Sequence, residues 1–146
     1  MIIKEFQGDH RWLSNFAPCT CYLWGVRFYY TENAYQASKL DPNTQWHQIQ
    51  DFSCEDMHPG AAKKLIRKLA PPHTDRQFSL EIMRDLNLQK YHKHMNPTLH
   101  DKLKATGEAE LIEGNYWGDK YWGVCLKTNV GENMLGKIIM SIRDIL

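Results

Sequence analysis

The segment from Thr31 to Lys39 carries three side chains whose types could do chemistry. A helix over this segment would place Glu32, Gln36 and Lys39 at positions i, i+4 and i+7, and therefore on one face. A carboxylate, an amide and an amine on one rigid stripe could supply an acid or base, an orienting group and a nucleophile. The same spacing is typical of a helix face in contact with solvent, so spacing by itself leaves both interpretations open.

The composition fits one globular domain over residues 1–146. Hydrophobic residues make up 42% of the chain, charged residues 24%, and the formal net charge is +1. So small a charge argues against a protein that grips long nucleic acid through its phosphates, but it allows a pocket for one nucleotide or an extruded base. The 5 Trp, 7 Tyr and 5 Phe exceed the needs of a small core and suit stacking on a ring-shaped ligand.

The sequence indicates neither a membrane segment nor a metal site. It has no apolar run long enough to cross a bilayer, and its first residues lack a signal-peptide pattern, so we expect a cytoplasmic protein. Cys19 and Cys21 would point to one face of a strand, but no second close pair completes a zinc site. We therefore expect reduced thiols, no metal and no cofactor.

Hydrophobic periodicity and turn residues predict a mostly helical α+β domain packed around a small antiparallel sheet. A first strand covers Ile2–Phe6, a loop covers Asp9–Pro18, and a hairpin over Cys21–Tyr30 turns near Trp24 and Gly25. The further predicted elements are a helix from an N-cap at Thr31 to a stop at Asp41–Pro42, an amphipathic helix between Pro59–Gly60 and Pro71–Pro72, helices over Asp75–His94 and Pro97–Leu103, strands over Ala109–Glu113 and Tyr121–Lys127, and a final helix from about Asn133.

The final helix begins inside a Gly-x-x-x-x-Gly-Lys pattern at residues 131–137. The next residue is Ile138, which lacks the hydroxyl that binds Mg²⁺ in a P-loop, so we interpret the glycines as a turn into a helix N-terminus. Apolar residues at helical spacing predict the core faces of two helices, namely Ala61, Ala62, Leu65, Ile66 and Leu69 in the amphipathic helix, and Leu135, Ile138, Ile139, Ile142 and Ile145 in the final helix.

Three further polar residues have both a functional and a structural interpretation. Asn15, which follows Ser14 in Trp-Leu-Ser-Asn-Phe, is a turn former or a ligand contact. Asp119, three residues before Trp122, lies in a solvent-exposed turn or in a binding site. Arg67 lies on the basic face of the amphipathic helix, where it faces solvent or binds a phosphate; this face also carries Lys63, Lys64 and Lys68.

Five motifs in one order give the chain a specific resemblance. They are Trp-Leu-Ser-Asn-Phe at 12–16, Glu-x-x-Tyr-Gln-Ala-x-Lys at 32–39, Ala-Lys-x-x-x-Arg at 62–67, Asp-x-x-Trp-Gly at 119–123 and Gly-x-Asn-x-Leu-Gly at 131–136. The chain resembles the NADAR family, also called YbiA-like, from Phe6 to Arg143.

The resemblance implies a small α+β enzyme that cleaves an N-glycosidic bond. The family is associated with two substrate classes: early riboflavin-pathway intermediates, which carry ribose 5-phosphate on the exocyclic nitrogen of an aminopyrimidinone, and ADP-ribose on the exocyclic amine of guanine, including guanine in DNA. The expected partner is thus a small ribosylated nucleobase or an ADP-ribosylated nucleic acid. A module that binds ADP-ribose or a related nucleotide without turnover is the alternative.

The resemblance also implies roles for individual residues. Lys39 would form a Schiff base with the sugar while Glu32 moves protons to and from the leaving nitrogen; in a second route Glu32 and Asp119 would act as acid and base of a direct hydrolysis. Substrate binding is expected from stacking aromatics, polar side chains and a phosphate-binding arginine, namely Trp12, Trp122, Ser14, Asn15, Gln36, Asn133 and Arg67.

The chain departs from the family at Asn33, where members usually have a histidine after the helix glutamate. An asparagine cannot take up a proton near neutral pH, so a proton relay through this position is in doubt. We expect any change of specificity to arise here.

Overall fold

In the computed structural model, which describes residues 1–71 and 75–146, the first strands are followed by five successive α-helices, three short strands and a final helix. The mixed α and β class is as predicted. The strands are β1 Ile2–Ile3, β2 Pro18–Leu23, β3 Val26–Tyr30, β4 Glu110–Leu111, β5 Gly114–Asn115 and β6 Val124–Cys125. The α-helices are α1 Thr31–Ala37, α2 Trp46–Phe52, α3 Pro59–Leu69, α4 Arg76–Lys90, α5 Pro97–Ala105 and α6 Met134–Arg143, with a 3-10 helix at Gly8–Leu13.

The strands of the described residues form three separate pairs rather than one antiparallel sheet. β2 and β3 are antiparallel, whereas β1 pairs with β4 and β5 pairs with β6 in parallel. β1 and β4 are far apart in sequence, and β5 and β6 are only two residues long, so the alternation within each segment does not reveal its partner.

The β2–β3 hairpin turns where the sequence predicts. Trp24 and Gly25 both have positive φ, 50° and 79°. Two successive residues with positive φ give the tight turn whose twist matches that of the flanking strands. The hairpin delivers the chain directly from Tyr30 into α1.

Several predicted boundaries are corrected. The expected loop at Asp9–Pro18 contains the 3-10 helix, and α1 begins with Thr31 instead of being capped by it and ends at Ala37, before Asp41. α2 was not predicted because only two of its residues, Ile49 and Phe52, are buried, too few to give a periodic pattern. Of the predicted stop after α3, Pro72 lies outside the described residues.

Two apolar residues lie outside the faces assigned to them. Ala61 is exposed on α3, while Ala62 and Ile66 are buried as predicted. Ile145 is 66% exposed because α6 ends two residues earlier, at Arg143.

Helix α1 lies at the centre of the fold. All seven of its residues are buried, although three of them are Glu32, Asn33 and Gln36. It packs against α2, α3, α4, β2 and β3. The interpretation of this segment as a solvated polar face is therefore wrong.

We predict that Gly136→Ala destabilises the protein, although the same change in an open helix interior stabilises by about 1 kcal/mol. A Cβ at Gly136 would lie 2.2 Å from the carbonyl oxygen of Leu111 and 2.5 Å from the Asn133 amide. Such overpacking should lower the free energy of unfolding by about 1–3 kcal/mol, measured by urea denaturation. Lys137→Ala, at the exposed neighbouring position, is the control. An unchanged or higher stability of Gly136→Ala would contradict the close approach of α6 to Leu111.

Candidate active site

A pocket of about 660 Å³ opens beside α1. Its walls come from the 3-10 helix and the loop after it, from α1, α3 and α4, and from the segment between β4 and β6. The wall contains six charged side chains: Arg11, Glu32, Lys39, Lys63, Glu113 and Asp119. It also contains five aromatic side chains, Phe6, Phe16, Tyr35, Trp117 and Trp122, and the polar side chains of Gln7, Ser14, Asn15 and Gln36.

The three residues predicted on one helix face all line this pocket. Glu32 and Gln36 lie one turn apart in α1, and the Gln36 Nε2 donates a 2.6 Å hydrogen bond to Glu32 Oε2. Lys39 follows the last turn, where its N–H donates to the Gln36 carbonyl oxygen. Gln36 therefore holds one carboxylate oxygen of Glu32 and leaves the other for a ligand.

Burial raises the pKa of Glu32. The negative charge of Asp119 raises it further, while the Gln36 hydrogen bond and the cations Lys63 and Lys39 oppose the shift. A carboxyl group kept protonated toward neutral pH can donate a proton to a leaving group.

The pKa of Lys39 is shifted in the opposite direction. Burial lowers it, Lys63 and Arg67 lower it further by charge repulsion, and Glu32 opposes the shift. The Tyr35 ring, whose centre lies 4.9 Å from Lys39 Nζ, also opposes the shift, because a cation–π contact favours the ammonium. Burial and the two neighbouring cations outweigh these effects. The surroundings of Lys39 thus favour the neutral amine, which is the nucleophilic form.

Asp119 also lines the pocket, and a turn fixes its position. Its Oδ1 accepts hydrogen bonds of 3.0 Å from the N–H groups of Tyr121 and Trp122. Its backbone is bonded on both sides to the Asn115 amide. Asp119 is therefore a turn former and a pocket residue at once, because the turn needs only one of its two oxygens.

Glu113 is a third carboxyl group in the site, and it was not predicted as a site residue. Burial and then the charge of Asp119 raise its pKa to about 8, against the weaker effect of a hydrogen bond from Asn115. Gly123 allows this placement, since a Cβ there would lie 1.9 Å from Glu113 Oε2. The only signal in the sequence is a charged residue at the end of a predicted strand.

The segment with Ser14 and Asn15 joins the pocket to the start of α1. Asn15 Oδ1 accepts a 2.8 Å hydrogen bond from the Thr31 hydroxyl, and its carbonyl oxygen accepts one from the Glu32 N–H. Ser14 Oγ accepts a hydrogen bond from the Phe16 N–H. Both side chains thus reach the pocket as predicted while they also fix the loop.

The structure places three predicted binding residues outside the pocket wall. Trp12 packs edge-on against Tyr91 beside a separate, smaller cavity. Arg67 is exposed on α3, one turn beyond Lys63, which takes the place in the wall. Asn133 is buried and bonds to the backbone, donating to the Leu111 carbonyl oxygen and accepting from the Glu113 N–H.

Other pocket residues, among them Tyr35, Lys63, Arg11 and Trp117, were also not predicted as site residues. Tyr35 lies within the helix motif, and its ring meets Trp122 edge-on at 5.6 Å. Lys63 belongs to the basic face of α3, of which Arg67 was selected instead. Arg11 and Trp117 carried no signal, although Trp117 is 62% exposed at the pocket.

Asn33 points away from the pocket. Its Nδ2 donates to the carbonyl oxygens of Phe52 and Met57, at 3.3 and 2.9 Å. One residue turns a helix by about 100°, so the neighbour of Glu32 faces α2 and the chain after it. A direct effect of Asn33 on a bound substrate is not supported by this placement.

The described residues hold neither a metal site nor a membrane helix. Within residues 1–71 and 75–146, no group of three His, Cys, Asp or Glu side chains is arranged to hold a metal ion. In the same part of the chain, no helix has the length and apolarity needed to cross a membrane.

Known proteins share this fold and this sequence pattern. The NADAR domain profile matches residues 3–146. A riboflavin biosynthesis protein of Vibrio vulnificus is 30% identical over 142 residues, which are 96% of this chain and 36% of that protein. An N-glycosidase of Nostoc punctiforme is 28% identical over 134 residues, 90% of this chain and 82% of that protein. The NMR structure of the E. coli protein YbiA matches with a TM-score of 0.77 at 25% identity, covering 99% of this chain and 83% of that one.

Fold and pocket together define a YbiA-like α+β domain whose cleft is lined by charged and aromatic side chains. The chain belongs to the NADAR family. It spans about a third of the length of the Vibrio relative and most of the Nostoc relative.

The raised pKa of Glu113 predicts a pH-dependent stability difference between the protein and Glu113→Gln. The carboxyl group ionises near its ordinary value of 4.5 in the unfolded chain and at about 8 in the folded protein. Its contribution to stability is therefore fully present below pH 4.5 and is lost as the pH rises through about 8. Urea unfolding across this range should show the protein losing stability relative to Glu113→Gln. A constant difference, as expected for the exposed control Glu108→Gln, would contradict the burial of this carboxyl group.

Proposed function

We propose that the protein is an N-glycosidase that cleaves the bond between a ribose and the exocyclic amine of a guanine-like base. The observation that carries the proposal is the presence of Glu32, Lys39 and Asp119 in one pocket, two of them with pKa values shifted toward their uncharged forms. The relative named an N-glycosidase and the relative named a riboflavin biosynthesis protein support the same class of chemistry.

Lys39 acts as the nucleophile in this proposal. A ribosylamine opens when its C1′–O4′ bond breaks and O4′ takes up a proton, which leaves an iminium carbon at C1′. The Lys39 Nζ lone pair forms a bond to C1′ and the nitrogen releases a proton. The attack needs the neutral amine, which burial and the neighbouring Lys63 favour.

Glu32 acts as the general acid. The bond between C1′ and the base nitrogen breaks as Glu32 protonates that nitrogen, and the proton released by Lys39 restores the acid. The sugar is then held on Lys39 as an iminium, and water adds at C1′ to release the sugar and the free lysine. Asp119 and Glu113 are the other two carboxyl groups of the pocket. In the alternative route of direct hydrolysis, Asp119 is the second carboxyl group beside Glu32.

The aromatic and basic walls suit the rest of such a substrate. The Trp122 ring is held edge-on by Tyr35 and by Tyr121, at 5.6 and 4.9 Å, which presents a rigid surface for a base or ribose. Arg11 and Lys63 line the pocket and supply the positive charge that a 5′-phosphate or a diphosphate needs. In this proposal they take the phosphate role expected of Arg67.

The proposal is tested with one substrate from each class. The protein is incubated with an oligonucleotide carrying ADP-ribose on the guanine amine and, separately, with the ribosylaminopyrimidinone 5′-phosphate, and the products are identified by mass spectrometry. Release of the sugar from at least one substrate supports the glycosidase. Tight binding without release would instead favour a binding module.

Glu32→Gln is expected to lower the rate of sugar release by about 10²–10⁴, because the amide keeps the shape of the side chain but cannot donate the carboxyl proton. The rate is measured under single-turnover conditions on the better substrate. Glu108→Gln, which changes an exposed glutamate, is the matched control and should keep the full rate. A Glu32→Gln protein that is folded and fully active would rule out Glu32 as the acid.

A further inference from the structure

A second cluster of reactive side chains lies beside the pocket and has no part in the proposed reaction. It consists of Cys19 and Cys21 on β2 and Lys90 at the end of α4. Cys19 is half-buried, and Cys21 and Lys90 are fully buried. The Lys90 Nζ donates a 2.7 Å hydrogen bond to the carbonyl oxygen of Ser14, which lines the pocket.

The geometry of β2 brings the two thiols together. Cys19 and Cys21 lie two residues apart on β2, and each thiol acts electrostatically on the other. In an extended strand their Cα atoms would be about 6.6 Å apart, near the upper limit for a disulfide. A bulge lies between the pairs Pro18–Tyr30 and Cys21–Phe28, and it bends β2 at these residues.

Lys90 is a buried cation whose charge these sulfurs balance. The charged groups that act on Lys90 are the thiols of Cys19 and Cys21. A buried ammonium is costly without a negative partner, and a thiolate is the one that these residues supply. The neighbouring Cys21 thiol and then the charge of Lys90 lower the pKa of Cys19 to about 7 against the effect of burial, and burial lowers the pKa of Lys90 to about 8.

We propose that Cys19 and Cys21 form a redox modification site, in which hydrogen peroxide oxidises the pair to an intramolecular disulfide. The Cys19 thiolate attacks one peroxide oxygen, the O–O bond breaks, and the other oxygen leaves as water after taking up a proton, so that Cys19 becomes a sulfenic acid. The Cys21 sulfur then attacks the Cys19 sulfur, the S–O bond breaks, and a second water leaves with the Cys21 proton. Two thiols are oxidised and one peroxide is reduced.

The oxidation state of Cys19 and Cys21 affects the pocket through Lys90. A disulfide carries no negative charge, so the buried ammonium loses its partner and its neutral form is favoured. The bond to the Ser14 carbonyl oxygen then changes from a charge-assisted to a neutral hydrogen bond, which is weaker. Ser14 and Asn15 are consequently held less firmly against the pocket. This consequence, unlike the oxidation itself, rests on the proposed function.

Mass spectrometry tests the modification site without any substrate. The folded protein is treated with hydrogen peroxide, quenched by alkylation and mapped by peptide. We expect the Cys19–Cys21 peptide to lose two hydrogens and to escape alkylation before the exposed Cys54 reacts. Cys21→Ser should instead accumulate a sulfenic acid on Cys19 that dimedone traps, and Lys90→Met should slow the reaction of Cys19 by about tenfold.

Oxidation of Cys54 while Cys19 and Cys21 remain open to alkylation would overturn the proposal. Sugar release tests the link to the pocket: oxidation should raise KM about fivefold, dithiothreitol should reverse the change, and Cys21→Ser should not show it. An unchanged KM in fully disulfide-bonded protein would refute the link and leave the modification site standing. Failure of both substrates to react would count against the proposed function alone.

Discussion

The fold depends on the burial of a polar helix. Helix α1 is surrounded by three helices and a hairpin, so each of its polar side chains must find a partner inside the protein. Thr31 bonds to Asn15, Asn33 to the carbonyl oxygens after α2, and Glu32 to Gln36. These bonds tie the loop before β2, the end of α2 and the pocket to one element.

The same burial prepares the reactive groups. It raises the pKa of Glu32 and lowers that of Lys39, so that both groups are biased toward the forms that an acid and a nucleophile need. The side-chain oxygen of Gln36, Oε1, is buried without a hydrogen-bond partner. Because Gln36 lines the pocket, this acceptor can receive a hydrogen bond from a substrate donor.

Local patterns in the sequence predicted those parts of the fold that depend on local order. The hairpin at Trp24 and the apolar faces of α3 and α6 follow from turn chemistry and periodicity over ten residues or so. The parallel pair β1–β4 joins segments distant in sequence, and the two-residue strands of β5–β6 carry too little pattern to show their pairing. Helix α2 was missed for the same reason.

The candidate site shows the same division. Motif order selected Glu32, Lys39, Asp119 and Trp122, and the fold brings them together. The sequence predicted Arg67 as the phosphate-binding residue, whereas Lys63 lines the pocket. The two residues lie one turn apart on the basic face of α3, so the sequence pattern does not distinguish them. The Asn133 side chain is hydrogen bonded to the backbone of Leu111 and Glu113. This role depends on the packing of α6 against that segment, which the sequence pattern does not show.

Reductive trapping at Lys39 is the most direct test of the proposed Schiff base between Lys39 and the sugar. Sodium borohydride is added during turnover, and the protein is mapped by mass spectrometry. We expect a reduced sugar adduct on Lys39, absent without substrate and absent in Lys39→Ala, which should release almost no sugar. Full activity of Lys39→Ala, with no adduct on the unaltered protein, would contradict the role of Lys39 as nucleophile. Direct hydrolysis by Glu32 and Asp119 would then remain.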